Sequence, residues 1–224
     1  MIIAIDGPAA AGKGTLSRRL ANHFNFAHLD TGKLYRAIGL KILRSGGNPS
    51  HPGQALKAVT SLQHVDLNDS DILSDKAAIA ASQVAVVEVA RNALKQFQRS
   101  FAANPPDGAK GAILDGRDIG TIICPDADIK IFVTANLQTR ARRRHKELLE
   151  RGETSIYARV LRDMGERDVR DLTRTLAPLK PADDAFVLDC TALDADSAFA
   201  EVVTHIAKHL GPETSRRTTQ RTQT

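Results

Sequence analysis

The chain has 224 residues, of which 42% are hydrophobic and 25% are charged, a balance that excludes an intrinsically disordered chain and permits a well-packed core. Its formal net charge of +5 favours anionic partners, but aromatic residues make up only 4%, too few for the stacking platforms of a single-strand nucleic-acid binder. The first residues contain neither a basic leader nor a long apolar segment, and the two cysteines lack disulfide or metal spacing. We therefore expect a cytoplasmic protein that binds small anions and neither nucleic acid nor a membrane.

Short apolar runs alternate with longer helical patterns along the chain. The runs predicted as buried strands are residues 2–5, 26–29, 112–114, 129–133 and 185–188. The predicted helices begin at Lys13 and cover residues 33–44, 76–101, 138–150, 155–171 and 197–210. This alternation predicts an α/β fold in which helices flank a parallel sheet of about five strands. Ligands of such sheets bind at the carboxyl ends of the strands, so the site is expected there.

The alternation is interrupted once, at residues 45–75, which contain two adjacent glycines, prolines and an acidic polar stretch. We predict a core formed by residues 1–44, 102–149 and 172–210, with a substrate-binding insert at residues 45–101. Residues 150–171 are predicted to form a small helical lid. The tail, residues 211–224, contains no large apolar residue and is predicted to be disordered.

A glycine-rich loop follows the first predicted strand and opens a helix, the context that a phosphate-binding P-loop requires. The loop consists of Gly7, Pro8, Ala9, Ala10, Ala11, Gly12, Lys13, Gly14 and Thr15. Gly7 and Gly12 permit the positive φ angles that turn successive N–H groups toward phosphates. Lys13 can reach the β and γ phosphates, and the Thr15 hydroxyl can ligate Mg²⁺. The motif therefore predicts a P-loop NTPase-type sheet that binds a nucleotide.

One departure from the general P-loop pattern narrows this prediction. The hydroxyl residue usually follows the lysine directly, whereas here Gly14 separates Lys13 from Thr15. The form Gly-Lys-Gly-Thr is typical of nucleoside monophosphate kinases. The alternative, a glycine-rich turn without a ligand, is disfavoured because strand, loop, lysine and hydroxyl all agree with the motif.

Later segments resemble motifs of one family, the bacterial cytidylate kinases. These segments are residues 28–36 (HLDTGKLYR), 81–84 (ASQV), 115–120 (DGRDIG), 166–174 (ERDVRDLTR) and 178–182 (PLKPA). They occur in the family's order, and the resemblance extends from residue 2 to about residue 210. Adenylate kinases share the phosphate loop but not this later set. The resemblance implies a kinase that transfers the γ-phosphoryl group of ATP to CMP or dCMP, with Mg²⁺ as its metal.

The resemblance also implies how the acceptor nucleotide is held. Thr31 and Asp118 are similar to the family's residues that face the pentose or the cytosine, and Ser82 to a residue that bonds the base. Arg36 and Arg91 resemble the pair that clamps the acceptor α-phosphate. Arginine suits this task because it stays charged and binds phosphate oxygens through parallel hydrogen bonds.

Further residues are assigned to catalysis, the lid and the metal. Arg117 is expected close to the pair that clamps the acceptor α-phosphate, and Arg167, Asp171 and Arg174 are similar to the family's lid and sugar contacts. The implied catalytic residues are Lys13, Arg117, Arg167 and Arg174. Arg117, Asp171 and Arg174 also belong to the predicted substrate-binding set. Thr15 and Asp115 are the candidate Mg²⁺ ligands, Asp115 through a metal-bound water.

Several of these residues have simpler interpretations that the sequence leaves open. Asp115 ends a predicted strand and could only cap a turn, Arg36 could lie on a helix surface, and Ser82 could be a packing residue. Arg142 is expected on a solvated helix face, whereas Arg143 or Arg144 could touch ATP phosphates.

The chain departs from well-known family members within the insert. The segment of residues 63–75 is too short for the extra strands that many members carry there. Leu73 stands where many members have an arginine, and Glu88 where they usually have a proline. These changes leave the preference between CMP and dCMP open.

Two classes of alternative function also remain. One is a kinase for another small acceptor, namely UMP, AMP or shikimate. The other is a non-catalytic P-loop protein that binds nucleotides or RNA, although acidic residues interleave with the arginines of the basic region. A GTPase is disfavoured because the guanine-binding signal Asn-Lys-x-Asp is absent from the sequence. We expect the enzyme to be a monomer.

Overall fold

The computed structural model describes residues 1–210, and its centre is a parallel sheet with the strand order β2-β3-β1-β4-β5. The strands are β1 (Ile2–Asp6), β2 (Ala27–Asp30), β3 (Ala112–Gly116), β4 (Ile129–Thr134) and β5 (Phe186–Asp189). Every neighbouring pair is parallel. The predicted α/β class and all five predicted strands are therefore confirmed, with bounds that differ by one or two residues.

Helices cover the sheet and form most of the segment between β2 and β3. They are α1 (Lys13–Phe24), α2 (Thr31–Arg44), α3 (Pro52–Thr60), α4 (His64–Leu67), α5 (Asp75–Val84), α6 (Glu88–Ala103), α7 (Leu137–Glu150), α8 (Tyr157–Thr173) and α9 (Ala195–Leu210). Short 3₁₀ turns lie at Ser70–Leu73 and Pro106–Gly108, and a π-helical turn lies at Ile119–Ile123. α2 begins at Thr31 rather than at residue 33 because the Asp30 carboxylate caps it by accepting from Lys33 N.

The single helix predicted over residues 76–101 is wrong, because the chain forms α5 and α6 with a bend of 99° between them. Val84 and Val87 at the bend are both buried, so the apolar pattern runs through it without interruption. Gly39 of α2 lets α5 approach closely, since a Cβ there would lie 2.6 Å from the Cβ of Ala80. The bend is thus set by packing against α2, which periodicity does not report.

Residues 45–75, for which no element is predicted, contain α3, α4 and a 3₁₀ turn. Pro52 occupies the first turn of α3, and the His51 ring caps this helix by accepting from Gln54 N. Ala55 and Ala58 of α3 are buried in the cluster that the α2 side chains form with those of α5 and α6. The segment is therefore a packed helical unit and not an open loop.

The two faces of the sheet are covered by different helices. Ile3 and Ile5 of β1 point toward α1 and α9, whereas Ala4 between them points to the side where Ala102 of α6 packs. Each of these three strand residues is fully buried. Burial on both faces explains why the strands are continuous apolar runs without alternation.

Some predictions concern residues or properties that the described part of the chain does not test. The predicted disordered tail, residues 211–224, falls outside the described residues. Within residues 1–210, no single helix is long and apolar enough to span a membrane; a bent pair, Asp75–Val84 with Glu88–Gly108, passes that test only when joined. The domain boundaries and the monomeric state stay predictions.

Candidate functional site

The phosphate loop, residues 7–15, follows β1 at the carboxyl edge of the sheet. Gly7 has φ +144° and Gly12 has φ +106°, values that favour glycine, and α1 begins directly after the loop at Lys13. The loop therefore has the left-handed turns that direct backbone N–H groups into a concave surface at the N-terminus of a helix.

Gly7 is expected to tolerate no side chain. A Cβ there would lie 1.9 Å from the carbonyl oxygen of Val133 in β4, so Gly7→Ala must displace either the loop or the strand. We expect a loss of about 1–3 kcal/mol in the free energy of unfolding, the usual cost of overpacking. Gly46→Ala is the control in urea denaturation, because Gly46 also has positive φ but a Cβ at that position would meet no atom within 4 Å. Equal losses in both variants would contradict the steric explanation.

Lys13 is almost completely buried and has a perturbed pKa. Its Nζ donates to the carbonyl oxygen of Pro8 at 2.8 Å, which holds the side chain across the loop. The pKa of Lys13 is lowered to about 7, chiefly by burial and also by the nearby cations Arg117 and Arg167, against the opposing effect of Asp115. An anion bound in the loop would favour the charged ammonium form of Lys13 and raise its pKa again.

A central cavity of about 200 Å³ lies between the phosphate loop, α2, α5 and α8. All ten predicted site residues outside the loop line it, together with Lys13: Thr31, Arg36, Ser82, Arg91, Asp115, Arg117, Asp118, Arg167, Asp171 and Arg174. These residues come from six separate segments of the chain. The structure thus brings together the predicted catalytic residues and the predicted substrate-binding residues.

The phosphate loop is divided between two cavities. Ala9, Ala10, Lys13 and Gly14 line the central cavity. Ala11, Gly12 and Thr15 line instead a side cavity of about 240 Å³, whose apolar walls include Leu16, Val133 and Leu193. Gly7 and Pro8 line neither of these two cavities. Thr15 and Asp115, the two predicted metal ligands, therefore face different cavities.

At the carboxyl end of β3, polar side chains are held by short hydrogen bonds. The Thr31 hydroxyl donates to the carbonyl oxygen of Asp115 at 2.8 Å, so its lone pairs remain available as acceptors. His28 Nε2 lies 2.7 Å from Asp115 Oδ2. Gly116 allows the Thr31 side chain to approach β3 closely, because a Cβ on Gly116 would lie 2.7 Å from the Thr31 hydroxyl.

Arg91 and Arg36 have different partners, although the sequence groups them as one phosphate clamp. Arg91 forms a buried ion pair with Asp118 at 2.5 Å and also donates to the carbonyl oxygen of Ala85. Arg36 donates to the carbonyl oxygen of Ile72 at 3.3 Å and has no ion pair with any residue of the described range 1–210. Burial lowers the pKa of Arg36, which Asp30 partly opposes. Of the two, Arg36 is the cation that lacks a direct counter-charge.

The arginines near α8 are short of partners. Arg117 Nε donates to Asp171 Oδ2 at 3.1 Å, and Arg167 Nε lies 3.9 Å from the same oxygen. Within the described residues, Arg167 Nε and Arg174 Nη2 are buried atoms without a hydrogen-bond partner. The pKa of Arg167 is lowered to about 9, chiefly by burial and also by the charge of Arg117. Unsatisfied buried donors of this kind are costly unless a ligand accepts from them.

The lining of the central cavity carries more positive than negative side chains. Its basic residues are Lys13, Lys33, Arg36, Arg91, Arg117, Arg167 and Arg174, and its acidic residues are Asp30, Asp115, Asp118 and Asp171. Fully ionised, they leave an excess of three positive charges, because seven basic side chains face four acidic ones. Like charges confined to a partly buried cavity repel one another. The arrangement therefore favours a ligand that carries several negative charges.

Asp6, which was not among the site residues predicted from the sequence, stabilises the backbone next to this site. The Asp6 carboxylate accepts from Ile119 N and Gly120 N, both at 2.8 Å, and so ties the start of the phosphate loop to the turn that follows Asp118. Burial raises the pKa of Asp6 to about 6, although the two hydrogen bonds oppose this rise. Its position directly before Gly7 was the available signal. The turn that Asp6 holds becomes visible only in the structure.

The three consecutive arginines of α7 have separate environments. Arg142 is exposed, as predicted. Arg143 donates to the carbonyl oxygens of Ala11 and Cys190 and lines the side cavity. Arg144 pairs with Asp75 at 2.6 Å and donates to the carbonyl oxygen of Leu73. Arg144 thus bridges α7 and the segment that leads into α5.

Comparison with known proteins identifies the family. The sequence profile described as cytidylate kinase matches residues 3–210. A cytidylate kinase of Paramagnetospirillum magneticum is 58% identical over 199 residues, covering 89% of this chain and 94% of that protein. A cytidylate kinase of Rhodospirillum rubrum is 50% identical, covering 92% of this chain and 97% of that protein. A cytidylate kinase of Methylocella silvestris is 56% identical, covering 89% of this chain and 90% of that protein. The resemblance found in the sequence motifs is confirmed: the chain belongs to the cytidylate kinase family.

Proposed function

We propose that the protein transfers the γ-phosphoryl group of ATP to CMP or dCMP, producing ADP and CDP or dCDP. Proteins that share half or more of its residues over most of its length are named cytidylate kinases. The observation that carries the proposal is the central cavity, where Lys13 of the phosphate loop faces the same space as Arg167 and Arg174, each of which has a buried donor atom without a partner among the described residues. Such a cavity suits a reaction that brings two polyanions together.

ATP is the proposed donor, held by the phosphate loop. The left-handed turns at Gly7 and Gly12 leave backbone N–H groups free to bind phosphate oxygens, and Lys13 supplies a positive charge beside them. The side cavity adjoins the loop at Ala11 and Thr15 and has apolar walls, so it suits the base and sugar of the donor.

Mg²⁺ is the proposed metal, and the available side chains fit a metal held mainly by the substrate. Within residues 1–210, no group of three or more His, Cys, Asp or Glu residues has metal-binding geometry. Mg²⁺ commonly keeps several waters and binds phosphate oxygens with one or two protein oxygens. The exposed Thr15, which lines the side cavity, would supply one such contact directly, whereas Asp115, which lines the central cavity and whose Oδ2 lies against His28 Nε2, would act only through a metal-bound water. When bound, Mg²⁺ offsets the negative charge of the phosphates.

CMP or dCMP is the proposed acceptor, bound at the opposite end of the central cavity. Arg36 would bind the α-phosphate, because it is a part-buried cation of the cavity on the acceptor side, away from the phosphate loop, and has no ion pair among the described residues. Thr31, Ser82 and the paired side chains of Arg91 and Asp118 line the same cavity and present hydrogen-bonding groups to the nucleoside. A base with both donor and acceptor groups requires such mixed partners.

The proposed reaction is a direct in-line transfer without a covalent enzyme intermediate. Arg117, Arg167 and Arg174 would stabilise the charge on the moving phosphoryl group, since their donors lie beside the cavity with few partners. The predicted lid, residues 150–171, would close over this region and exclude water, which would otherwise compete as an acceptor. The insert, residues 45–101, would carry Ser82 and Arg91 against the acceptor.

A panel of phosphoryl acceptors tests the proposal. Purified protein with ATP and Mg²⁺ is expected to consume ATP rapidly with CMP or dCMP, and to use UMP, AMP and shikimate poorly, when ADP release is measured by a coupled assay. Rapid use of one of the other acceptors with no use of CMP or dCMP would contradict the acceptor assignment. If none of the acceptors in the panel led to ATP consumption, the kinase proposal itself would be contradicted.

The remaining expectations are part of the same proposal. We infer a cytoplasmic monomer that acts on small molecules and that binds neither nucleic acid nor a membrane. The interleaving of acidic and basic residues in α7 and α8 supports this, because it breaks up the continuous positive surface that nucleic-acid binding requires.

A further inference from the structure

α8 carries three residues of the central cavity but has limited support from the rest of the protein. Arg167 and Asp171 lie on it, and Arg174 caps its end. On its outer side, Val169 is 59% exposed and Leu172 is 56% exposed, so neither anchors the helix. Its apolar contacts come from Val160, Met164 and their neighbours, which pack against α7 and the tip of the phosphate loop. Precise placement of the arginines therefore needs a further restraint.

Arg140 of α7 supplies that restraint through a guanidinium group whose three nitrogens all donate hydrogen bonds. Its side chain is only 5% exposed. Nη1 and Nη2 donate to the two carboxylate oxygens of Asp168 in α8 at 3.1 and 2.5 Å. Nε donates to the carbonyl oxygen of Ala135 at 2.8 Å, and Nη1 also reaches that of Ala9 at 3.3 Å. One side chain thus connects the end of β4, the phosphate loop and α8.

The geometry of this contact restrains α8 more strongly than a simple charge attraction would. A bidentate arginine–carboxylate pair fixes the plane of both groups, which a lysine at the same position cannot do. Asp168 directly follows Arg167 and lies three residues before Asp171, so holding it sets the rotation of both about the helix axis. Ala9, at the other end of the contact, lines the central cavity beside Lys13.

We propose that Arg140 is a positioning residue that couples the phosphate loop to α8, so that donor binding at the loop aligns Arg167 and Asp171 for the acceptor. The proposal rests on the function proposed above. Arg140 acts through Asp168, because the cavity lining includes neither residue. The carbonyl group of Ala9 is its contact on the donor side.

The test measures how strongly one substrate affects the binding of the other. CMP is titrated calorimetrically with and without adenosine 5′-(β,γ-imido)triphosphate, for the wild type and for Arg140→Lys. The wild type is expected to bind CMP about 5- to 150-fold more tightly when the analogue is present, the usual range for coupled sites. Arg140→Lys is expected to bring this ratio close to one and to lower kcat by about tenfold or more, as small misplacements do.

Two further variants, Asp168→Asn and the double variant Arg140→Lys/Asp168→Asn, distinguish a loss of coupling from general damage to the fold. Because Arg140 is proposed to act through Asp168, the double variant should lose little more coupling than either single variant. Lys146→Ala is the control, since Lys146 lies on α7 in an exposed pair with Glu150 at 3.6 Å. Thermal denaturation of each variant checks that it is folded.

Unchanged coupling in a folded Arg140→Lys or Asp168→Asn protein would overturn the proposal, and so would losses that multiply in the double variant. Failure of the proposed function gives a different result. In that case the wild type would use another acceptor or none, and the coupling measurement would be repeated with the acceptor that the panel identifies.

Discussion

Replacing Lys13 by alanine is expected to lower kcat by about a thousandfold, at the upper end of what removing one transition-state donor costs. The Lys13 ammonium is the cation that lies within the phosphate loop, where it donates to the carbonyl oxygen of Pro8. While the transferred group lies between donor and acceptor, its charge is spread over its three oxygens, and the stabilisation of that charge by the ammonium group is lost with the side chain. Steady-state kinetics with saturating ATP and CMP measure the effect.

The same substitution is expected to leave the protein at least as resistant to thermal denaturation as the wild type. Burial disfavours the charged form of Lys13 in the folded state and lowers its pKa to about 7. Removing that cost offsets the lost packing of the side-chain stem. A large fall in melting temperature together with the loss of activity would indicate a structural role instead.

A pH measurement provides the matched check on Lys13. In the free protein at pH 8 the side chain is mostly neutral, because its pKa of about 7 lies below the pH. Bound polyphosphate favours the ammonium form and raises this pKa, so ATP binding should take up close to one proton. Calorimetry in two buffers of different ionisation enthalpy measures the uptake, which should be absent in Lys13→Ala. Equal uptake in both proteins would contradict the assignment.

Replacing Arg36 by alanine is expected to raise the KM for CMP by about 10- to 100-fold, corresponding to the loss of one or two charge-assisted hydrogen bonds. The KM for ATP should change little. Arg36 donates only to the carbonyl oxygen of Ile72, and within residues 1–210 it has no ion pair, so its remaining donors are available to a phosphate. Kinetics in which each substrate is varied in turn separate the two effects.

Arg142→Ala is the control for Arg36→Ala, because Arg142 is an exposed arginine outside both cavities. It removes the same charge from the protein and is expected to change neither KM. If Arg36→Ala left the kinetics with CMP unchanged, or raised the KM for ATP instead, the acceptor phosphate would have to bind elsewhere.

Local sequence was sufficient to predict the elements that depend on local physics. Each buried strand is a continuous apolar run, and the phosphate loop needs glycine at fixed positions, with Gly7 lying against β4. The family motifs likewise pointed to the residues that line the central cavity. All five strands and the helix that starts at Lys13 were predicted for these reasons.

Predictions were weaker where packing between distant segments decides the outcome. Residues 76–101 have uninterrupted helical periodicity, yet the chain bends at Val84–Val87 because Gly39 of another helix admits α5. Helices α3 and α4 lie in a segment whose glycines and prolines indicate an interruption, but buried alanines of α3 and the partly buried Leu67 of α4 pack against the cluster that includes α2. Periodicity reports which face is apolar and not which partner covers it.

What the sequence by itself determined is the set of chemical groups: a phosphate loop, a surplus of arginines, and carboxylates in the family's order. Which cation meets which carboxylate was decided only by the tertiary structure, which pairs Arg91 with Asp118 and Arg140 with Asp168 and leaves Arg36 without an ion pair among the described residues. The reason is that these pairs join residues 27 and 28 positions apart on different elements. Their distances follow from how sheet and helices pack, and that information is absent from any local pattern of residues.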